Sequence, residues 1–303
     1  MIRSCVCKRG YGVVPEEGMM DIVKFLIDEV PLMCDKEVTE LLRGSSKDLP
    51  TGCNGSTLLL KKRGLVVKSP VESDAFSTLL KEAWALAQLQ EVEGVQRLEG
   101  VSVTKKKLVT AYGGLALSSW MNEGRLSPNM KIEIAKQLTR ILLDVHNLGL
   151  IHNDVKIDNV CVERVSGGGF KVTLIDFGLS CRKGGSLVFE DAFDPEYHYA
   201  PEAYWGADEV PCDEFFDVYS VGTLMASLFE DKDALDSQVQ SWIVDSHEVD
   251  PSDRRGLQEL LDLLQKVSLP EEPKKRRSRG GKGKKGAKAQ EEEKKGASAA
   301  SSH

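Results

Sequence analysis

The order of apolar and polar positions predicts short strands in the first part of this chain and longer helices further on. Residues 49–69, LPTGCNGSTLLLKKRGLVVKS, predict a strand, a Gly-containing turn, a second strand, a tight turn at residues 61–64 and a third strand. Upstream, apolar residues with helical spacing occupy residues 15–44, and Pro31 breaks this pattern. We therefore expect a helical N-terminal extension followed by a group of strands.

Two later segments have the apolar spacing of amphipathic helices. Residues 73–90 start with Ser73 and Asp74, which are typical of helix starts. Ser127 caps a long helix with Pro128 at its first position, and Gly149 ends this helix. The residues predicted to form the apolar faces are Phe76, Leu79, Leu80, Ala83 and Leu86 in the first helix, and Ile134, Leu138, Ile141, Leu142 and Val145 in the second.

Composition permits one catalytic domain with extensions. The chain has 303 residues, of which 41% are hydrophobic and 29% charged, so it can bury a sizeable core. Its seven scattered cysteines form no CxxC pair, which favours free thiols over a disulfide framework or a zinc site. No signal-peptide core is present, and the longest apolar stretch is too short to span a bilayer. We expect a soluble, intracellular protein, cytoplasmic or nuclear, with no membrane contact.

The net charge of −7 is unevenly distributed along the chain. Residues 271–303 contain eleven Lys and Arg and five Glu, a net charge of +6, which leaves −13 for residues 1–270. The tail has almost no residue able to pack, so we expect it to be disordered. Its basic runs, between residues 274 and 288, favour a nuclear localisation signal, a weak nucleic-acid contact or a solubilising tail, and these alternatives stay open.

The candidate chemistry lies in residues 152–178, where HNDVKIDN is followed by a Gly-rich spacer and LIDFG. Asp154 is a candidate base, and Lys156 can place positive charge near a phosphoryl group. Asn159 and Asp176 offer the hard oxygen ligands that Mg²⁺ prefers. Two acids, a lysine and an amide at these spacings are the groups needed to hold a metal triphosphate beside an attacking hydroxyl.

These motifs resemble those of eukaryotic protein kinases of the serine/threonine type. HNDVKIDN is similar to their catalytic loop and Asp176-Phe177-Gly178 to their metal-binding DFG motif, within a resemblance that covers about residues 49–267. It implies an α+β, bilobal fold with a small β-rich N-lobe that carries helix C, and a larger, mostly helical C-lobe. The implied bounds are 1–44 for the N-terminal extension, 45–113 for the N-lobe and hinge, 114–269 for the C-lobe and 270–303 for the disordered basic tail.

The resemblance also implies a binding site for ATP with Mg²⁺. Gly52 and Gly55 match glycines of the loop whose backbone amides close over the phosphates. Lys68 matches the phosphate-contacting lysine of the third strand, and Glu82 matches the helix-C glutamate that pairs with it. This pairing would hold the lysine against the α and β phosphates, which is the positioning that phosphoryl transfer requires.

The segment LVTAYGG is similar to the hinge that joins the two lobes of the family. Thr110 would be the gatekeeper at the back of the adenine pocket, and backbone groups from Ala111 to Gly113 would face the base. In the catalytic loop, the resemblance gives His152 a supporting role, in which it holds the backbone and contacts Phe177.

Motifs after the catalytic loop distinguish protein kinases from small-molecule phosphotransferases. Ala200-Pro201-Glu202 resembles the APE motif, which the latter class lacks. The segment FFDVYSVGTLMASLF resembles the buried helix of the large lobe, in which Asp217 would hold the catalytic-loop backbone. Arg255 matches the arginine that pairs with Glu202. These features favour a protein kinase over a small-molecule phosphotransferase, which remains a third alternative.

Several positions depart from the family pattern. Asn153 stands where kinases controlled by activation-loop phosphorylation usually have arginine, so we predict activity that does not require that phosphorylation. A pseudokinase, acting as a nucleotide-binding or scaffolding module, remains the alternative to an active serine/threonine kinase. The departures that favour it are Pro50, Thr57, Asn153 and the Asp194-Pro195 pair, which replaces a Gly-Thr pair whose threonine touches the catalytic-loop lysine in the family.

The partners implied by the resemblance are protein substrates. Acidic residues cluster in and after the segment that would bind a peptide, and they could attract basic substrates by long-range steering. A solvated acidic surface that keeps the protein soluble is the alternative. These residues are Glu190, Asp191, Asp194, Glu196, Asp208, Glu209, Asp213 and Glu214.

Overall fold

The computed structural model of the chain describes seven stretches of residues. These are residues 30–49, 55–70, 76–166, 169–187, 198–204, 210–230 and 235–267. Gly52, the Asp194-Pro195 pair, the first half of the helical pattern at residues 15–44 and the whole basic tail lie outside these stretches, so the predictions made for them stay predictions.

The first part of the chain forms a five-stranded antiparallel sheet with the order β1-β2-β3-β5-β4. Its strands are β1 (Lys47–Asp48), β2 (Gly55–Leu60), β3 (Leu65–Pro70), β4 (Leu98–Ser102) and β5 (Lys107–Ala111). The turn predicted at residues 61–64 joins β2 to β3, and their register places Thr57 opposite Lys68. A short helix, α1 (Asp35–Leu41), packs Leu41 against Leu60 and Val67 of this sheet.

A helix after β3, α2 (Phe76–Gln88), packs between the sheet and the rest of the core. The predicted apolar face is confirmed: four of its residues are buried, and Leu80 packs against them while partly exposed. Glu82 lies on this buried face although it carries a carboxylate. A charged side chain in such a place requires a partner.

The helical part of the chain begins with β6 (Leu115–Ala116), α3 (Leu117–Asn122) and the long helix α4 (Pro128–Asn147). The predicted start and end of α4 are confirmed. Ser127 Oγ accepts a hydrogen bond from the backbone N–H of Met130 at 3.4 Å. Gly149 follows the helix with φ +74°, a left-handed conformation that suits glycine. All five residues of the predicted apolar face of α4 are buried.

The remaining elements follow α4 in the chain. The strands are β7 (Leu150–Ile151), β8 (Val160–Arg164), β9 (Phe170–Leu174), β10 (Cys181–Arg182), β11 (Ser186–Leu187) and β12 (Val210–Pro211). The helices are α5 (Glu214–Leu228), α6 (Ser237–Asp245) and α7 (Leu257–Lys266). The buried helix predicted after the APE motif is α5, which lies so close to the end of α6 that a Cβ at Gly222 would collide with Ser246 Oγ. Among the described residues, no helix is both long and apolar enough to cross a membrane.

This arrangement confirms the predicted α+β fold class. A β-rich N-terminal part, with α2 packed on its sheet, precedes a mostly helical C-terminal part. The catalytic-loop residues 152–159 connect β7 to β8 in the C-terminal part, and Asp176 of this part contacts Lys68 of the N-terminal part.

The prediction that all cysteines are free thiols is wrong for two of them. Cys181 on β10 and Cys212, two residues before α5, form a disulfide. The backbone brings them together, because β10 pairs with β7 and the N–H of Cys212 donates to the carbonyl of Gly185 at 2.8 Å. Residues 31 positions apart carry no pairing signal in the sequence. Cys34 and Cys161 are free, as predicted.

Loss of this disulfide is expected to destabilise the oxidised protein. The crosslink closes a loop of about 30 residues, and constraints of this size typically contribute about 2–4 kcal/mol to the free energy of unfolding. We expect Cys212→Ser to show this loss in urea unfolding without reductant, and Cys34→Ser to show none because Cys34 is free. With excess reductant, the wild type and Cys212→Ser should unfold at nearly the same urea concentration. A loss that persists undiminished under reduction would contradict the prediction.

Candidate active site

A buried carboxylate on α5 holds the catalytic loop in place, as the sequence predicts. Asp217 Oδ2 accepts from the backbone N–H of His152 at 2.9 Å, and Oδ1 accepts from the N–H of Asn153 at 2.8 Å. His146 Nε2 lies 2.8 Å from Oδ2. Burial alone would raise the pKa of Asp217, but the hydrogen bond from His146 and the nearby His152 outweigh burial and lower it.

His152 connects the catalytic loop to the segment that carries Asp176. Its Nδ1 lies 3.1 Å from the backbone N–H of Asp154 and accepts from it, so Nε2 is the nitrogen that donates to the carbonyl of Ile175 at 3.0 Å. The ring packs edge-on against Phe177, with 4.5 Å between the ring centroids. His152 therefore has the supporting position predicted for it.

The carboxylate of Asp154 is the most heavily hydrogen-bonded group of the loop. Oδ1 lies 3.0 Å from Lys156 Nζ, 2.9 Å from His198 Nε2 and 3.0 Å from the hydroxyl of Tyr199, whereas Oδ2 accepts from Asn159 Nδ2 at 2.8 Å. Burial alone would raise the pKa of Asp154. The hydrogen bond from His198 and the charge of Lys156 outweigh burial and lower this pKa to about 2. The carboxylate is therefore ionised at neutral pH.

The two predicted metal ligands, Asn159 and Asp176, both line one cavity. Asn159 commits its amide nitrogen to the carbonyl and carboxylate of Asp154, both at 2.8 Å, so its amide oxygen is the atom left to face a cation. Its backbone carbonyl accepts from the N–H of Ile175 at 2.9 Å, which fixes the residue that precedes Asp176.

Two loop residues adopt left-handed backbone conformations. The φ angles are +63° at Asn153 and +64° at Asp176. Asn and Asp tolerate this conformation better than other residues with a Cβ, and such positions concentrate at functional sites. The identity of both residues is therefore tied to backbone shape as well as to side-chain chemistry.

Lys68 on β3 contacts its predicted partner, Glu82, and also Asp176, which was predicted as a metal ligand. Its Nζ lies 2.5 Å from Glu82 Oε1 on α2 and 3.4 Å from Asp176 Oδ1. Burial alone would lower the pKa of Lys68, but the charges of Asp176 and Glu82 outweigh burial and hold it above the ordinary value. The ammonium is thus fixed between the sheet, α2 and the predicted metal ligand.

These groups face a cavity of about 450 Å³, large enough for a small-molecule ligand. Of the residues predicted to bind the cofactor, Gly55, Lys68 and Gly113 line this cavity, and Glu82 does so as well. Thr110 and Ala111 are absent from the described lining, although Tyr112 and Gly113 directly after them belong to it. Thr110 is fully buried.

Two of the three glycines that line this cavity lie close to other backbone or side-chain atoms. A Cβ at Gly55 would collide with the carbonyl oxygen of Ser69 on β3. At Gly113 it would lie 3.1 Å from Thr173 and 3.3 Å from Cys161. The N–H of Gly113 has no hydrogen-bond partner among the described residues, whereas the N–H groups of Ala111 and Tyr112 donate to other carbonyls.

The predicted pairing of Arg255 with Glu202 is wrong, because Arg254 is the partner of this carboxylate. Arg254 binds Glu202, with its two terminal nitrogens 2.6 and 2.7 Å from the two carboxylate oxygens. Arg255 instead lies 3.1 Å from Asp245 and 2.5 Å from Glu259. The 3₁₀ turn Pro251–Asp253 directly before this pair turns Arg254 inward and Arg255 towards the surface.

Four residues of the site were not predicted from the sequence. Gln96 lines the cavity and donates from Nε2 to the Ala111 carbonyl at 2.9 Å, and Cys161 lines the same cavity. His198 and Tyr199 reach Asp154 from a segment 44 and 45 residues away. The spacing of residues in the sequence does not predict these contacts, because they depend on how distant segments meet in the folded chain.

The sequence of the chain matches a known protein family over most of its length. The family model described as protein kinase domain matches residues 59–280, well over half of the chain. Among curated proteins, a probable serine/threonine-protein kinase of Dictyostelium discoideum is 28% identical over 198 residues, which cover 62% of this chain and 14% of that protein.

Other curated relatives are similar over part of their length. Calcium-dependent protein kinase 26 of Arabidopsis thaliana is 23% identical over 207 residues, which cover 66% of this chain and 40% of that protein. Homeodomain-interacting protein kinase 2 of Mesocricetus auratus is 32% identical over 96 residues, which cover 32% of this chain and 8% of that protein. The match therefore spans less than half of the length of each of these relatives.

Proposed function

The chain belongs to the protein kinase family, and on that premise we propose that it is an active serine/threonine kinase that transfers the γ-phosphoryl group of ATP to protein hydroxyls. The observation that carries this proposal is the convergence of Lys68, Glu82, Asn159 and Asp176 at one cavity. Asp154 is not part of the described cavity lining, but its carboxylate is hydrogen-bonded to Asn159 at 2.8 Å. A scaffold without catalysis has no physical need for all of these groups in register.

The residues present fit Mg²⁺ and a nucleotide. Mg²⁺ is usually held by one or two protein oxygens together with phosphate oxygens, and Asp176 with the amide oxygen of Asn159 supplies such a pair. Gly113 lines the cavity and its N–H has no partner among the described residues, so this N–H is the group we propose to donate to the base. When bound, the magnesium nucleotide would supply the transferable phosphoryl group and neutralise its charge.

Each of the remaining groups has a role that its geometry supports. Lys68, fixed by Glu82, places a positive charge where the α and β phosphates would lie. Asp154 accepts or orients the substrate hydroxyl, and Lys156 adds positive charge 3.0 Å from this carboxylate. Positioning and electrostatics of this kind account for most of the catalysis in phosphoryl transfer.

The substrates we propose are serine and threonine residues of proteins. Lys156 in the catalytic loop is typical of the serine/threonine type, and one of the relatives above carries serine/threonine-protein kinase in its name. The acidic residues in and after the segment that would bind a peptide lead us to propose basic sequences around the acceptor, although one of them, Glu214, is paired with Lys183 at 2.8 Å. A nuclear location and weak nucleic-acid contact through residues 274–288 remain proposals from the sequence.

Turnover with defined peptides tests this function. We expect Mg²⁺-dependent phosphate transfer at roughly 1–100 per second on a good serine or threonine peptide, with basic peptides preferred over neutral ones. Asp176→Ala should abolish both the transfer and the magnesium-linked uptake of ATP measured by calorimetry. Magnesium-linked ATP binding without transfer to any peptide would instead favour the pseudokinase alternative.

Activity should not require phosphorylation of the activation segment. Asn153 is buried and donates from its amide to the Leu179 carbonyl at 3.1 Å, so it offers no positive charge to a phosphate. We expect protein made in bacteria and free of phosphate to be active, and Ser186→Ala to retain that activity. An inert preparation that becomes active after an upstream kinase modifies Ser180 or Ser186 would contradict this prediction.

A further inference from the structure

The hydrogen bonds to the carboxylate of Asp154 are unequally divided between its two oxygens. Among the described residues, Oδ1 has three donors, from Lys156, His198 and Tyr199, and Oδ2 has one, from Asn159. His198 and Tyr199 are each only 7% exposed. These two side chains therefore contact the carboxylate away from bulk water, where hydrogen bonds to charged groups are strong.

His198 and Tyr199 are held by the same helix that holds Asp154. Ser220 Oγ on α5 donates to the backbone carbonyl of His198 at 2.6 Å. The ring of Tyr199 packs on Phe216 of α5, with 6.3 Å between the ring centroids. One turn of this helix also presents Asp217, which binds the catalytic-loop backbone. The base and its two donors thus share one rigid support.

The count of lone pairs indicates which oxygen is left for a substrate. An ionised carboxylate oxygen offers about two lone-pair directions, so three donors fill Oδ1 and a single donor leaves room at Oδ2. Oδ2 also lies beside Asn159, one of the two candidate magnesium ligands. A hydroxyl hydrogen-bonded to Oδ2 would therefore sit next to the metal side of the cavity.

We infer that His198 and Tyr199 are positioning residues that fix Oδ1 of Asp154 and thereby leave Oδ2 to accept the hydrogen bond of the substrate hydroxyl. This inference rests on the proposed kinase function. It also explains how the site works without the Gly-Thr pair of the family, since Asp194-Pro195 stands there in this chain. His198 and Tyr199 supply donors to the catalytic loop from the same segment, a few residues further on.

Kinetics of matched variants test the inference. His198→Phe keeps a ring and removes the donor, Tyr199→Phe removes only a hydroxyl, and His198→Gln keeps an amide donor at the same reach. We expect kcat to fall about 10- to 100-fold in His198→Phe and about 3- to 10-fold in Tyr199→Phe, with KM values for ATP and peptide nearly unchanged. His198→Gln should recover most of the lost kcat.

One control variant and two possible results decide whether the inference stands. Tyr219→Phe is the matched control, because Tyr219 on α5 packs against His247 and not against Asp154. Wild-type kcat in both His198→Phe and Tyr199→Phe would overturn the inference. It would also be overturned if His198→Gln were as slow as His198→Phe, because the donor would then not be what matters.

Crystal structures of the wild type and of the His198→Phe/Tyr199→Phe double variant test the contact without turnover. We expect the Asp154 carboxylate to rotate about its Cβ–Cγ bond in the double variant and to keep its orientation in Tyr219→Phe. An unrotated carboxylate would overturn the positioning role. If the wild type transferred no phosphate to any peptide, the kinase function would fail, yet these structures would still decide whether the two residues orient Asp154.

Discussion

Asp154→Asn is expected to lower turnover by about 10²- to 10⁴-fold, the range typical of general acid–base groups, while leaving magnesium-linked ATP binding nearly unchanged. The pKa of Asp154 is lowered to about 2, so the wild-type carboxylate is ionised and can accept from a hydroxyl at any working pH. In the asparagine variant, an NH₂ group at the Oδ2 position would face Asn159 Nδ2, and two donors would oppose each other. Steady-state transfer to a serine peptide measures the loss, and calorimetry measures nucleotide binding.

Two variants separate this effect from general damage. Asp144→Asn changes an exposed aspartate on α4 in the same way and should keep wild-type turnover. Asp176→Ala should lose magnesium-linked ATP uptake as well as transfer, since Asp176 is the candidate metal ligand. If Asp154→Asn turned over as fast as the wild type, the role of Asp154 would have to be abandoned.

The local parts of this architecture were predictable from sequence. Hydrophobic spacing located α2 and α4, and a cap residue with a following proline fixed the start of α4, because these signals arise within a few residues of each other. The contacts of Lys68 with Glu82, and of Asp217 with the catalytic loop, were also anticipated. They followed from the motifs that carry the family resemblance.

What the sequence did not predict depends on contacts between distant segments. His198 reaches Asp154 only because α5 holds both segments, and Cys181 meets Cys212 only because β10 pairs with β7. Arg254 and Arg255 are adjacent and chemically identical, so residue type could not distinguish them. The backbone turn before them decides which guanidinium enters the core.

Arg254 and Arg255 provide the second large expected effect, which is on the stability of the protein. Arg254→Leu should lower the free energy of unfolding by about 3–5 kcal/mol, because it leaves the Glu202 carboxylate without its partner in a largely buried place. The guanidinium, whose side chain is fully buried, also donates to the carbonyls of Glu248 at 2.8 Å and Phe215 at 3.0 Å, and these would lose a donor. Urea unfolding of the wild type and the variant measures the difference.

Arg255→Leu is the matched control for this measurement. Its partners Asp245 and Glu259 are partly exposed, and surface ion pairs contribute about 0–1 kcal/mol. A loss in Arg255→Leu as large as that in Arg254→Leu would contradict the assignment of the buried pair. The double variant Glu202→Leu/Arg254→Leu should recover part of the stability lost in Arg254→Leu, because removal of both charges leaves no uncompensated carboxylate. Such recovery would show that the cost arises from a stranded charge and not from lost packing volume.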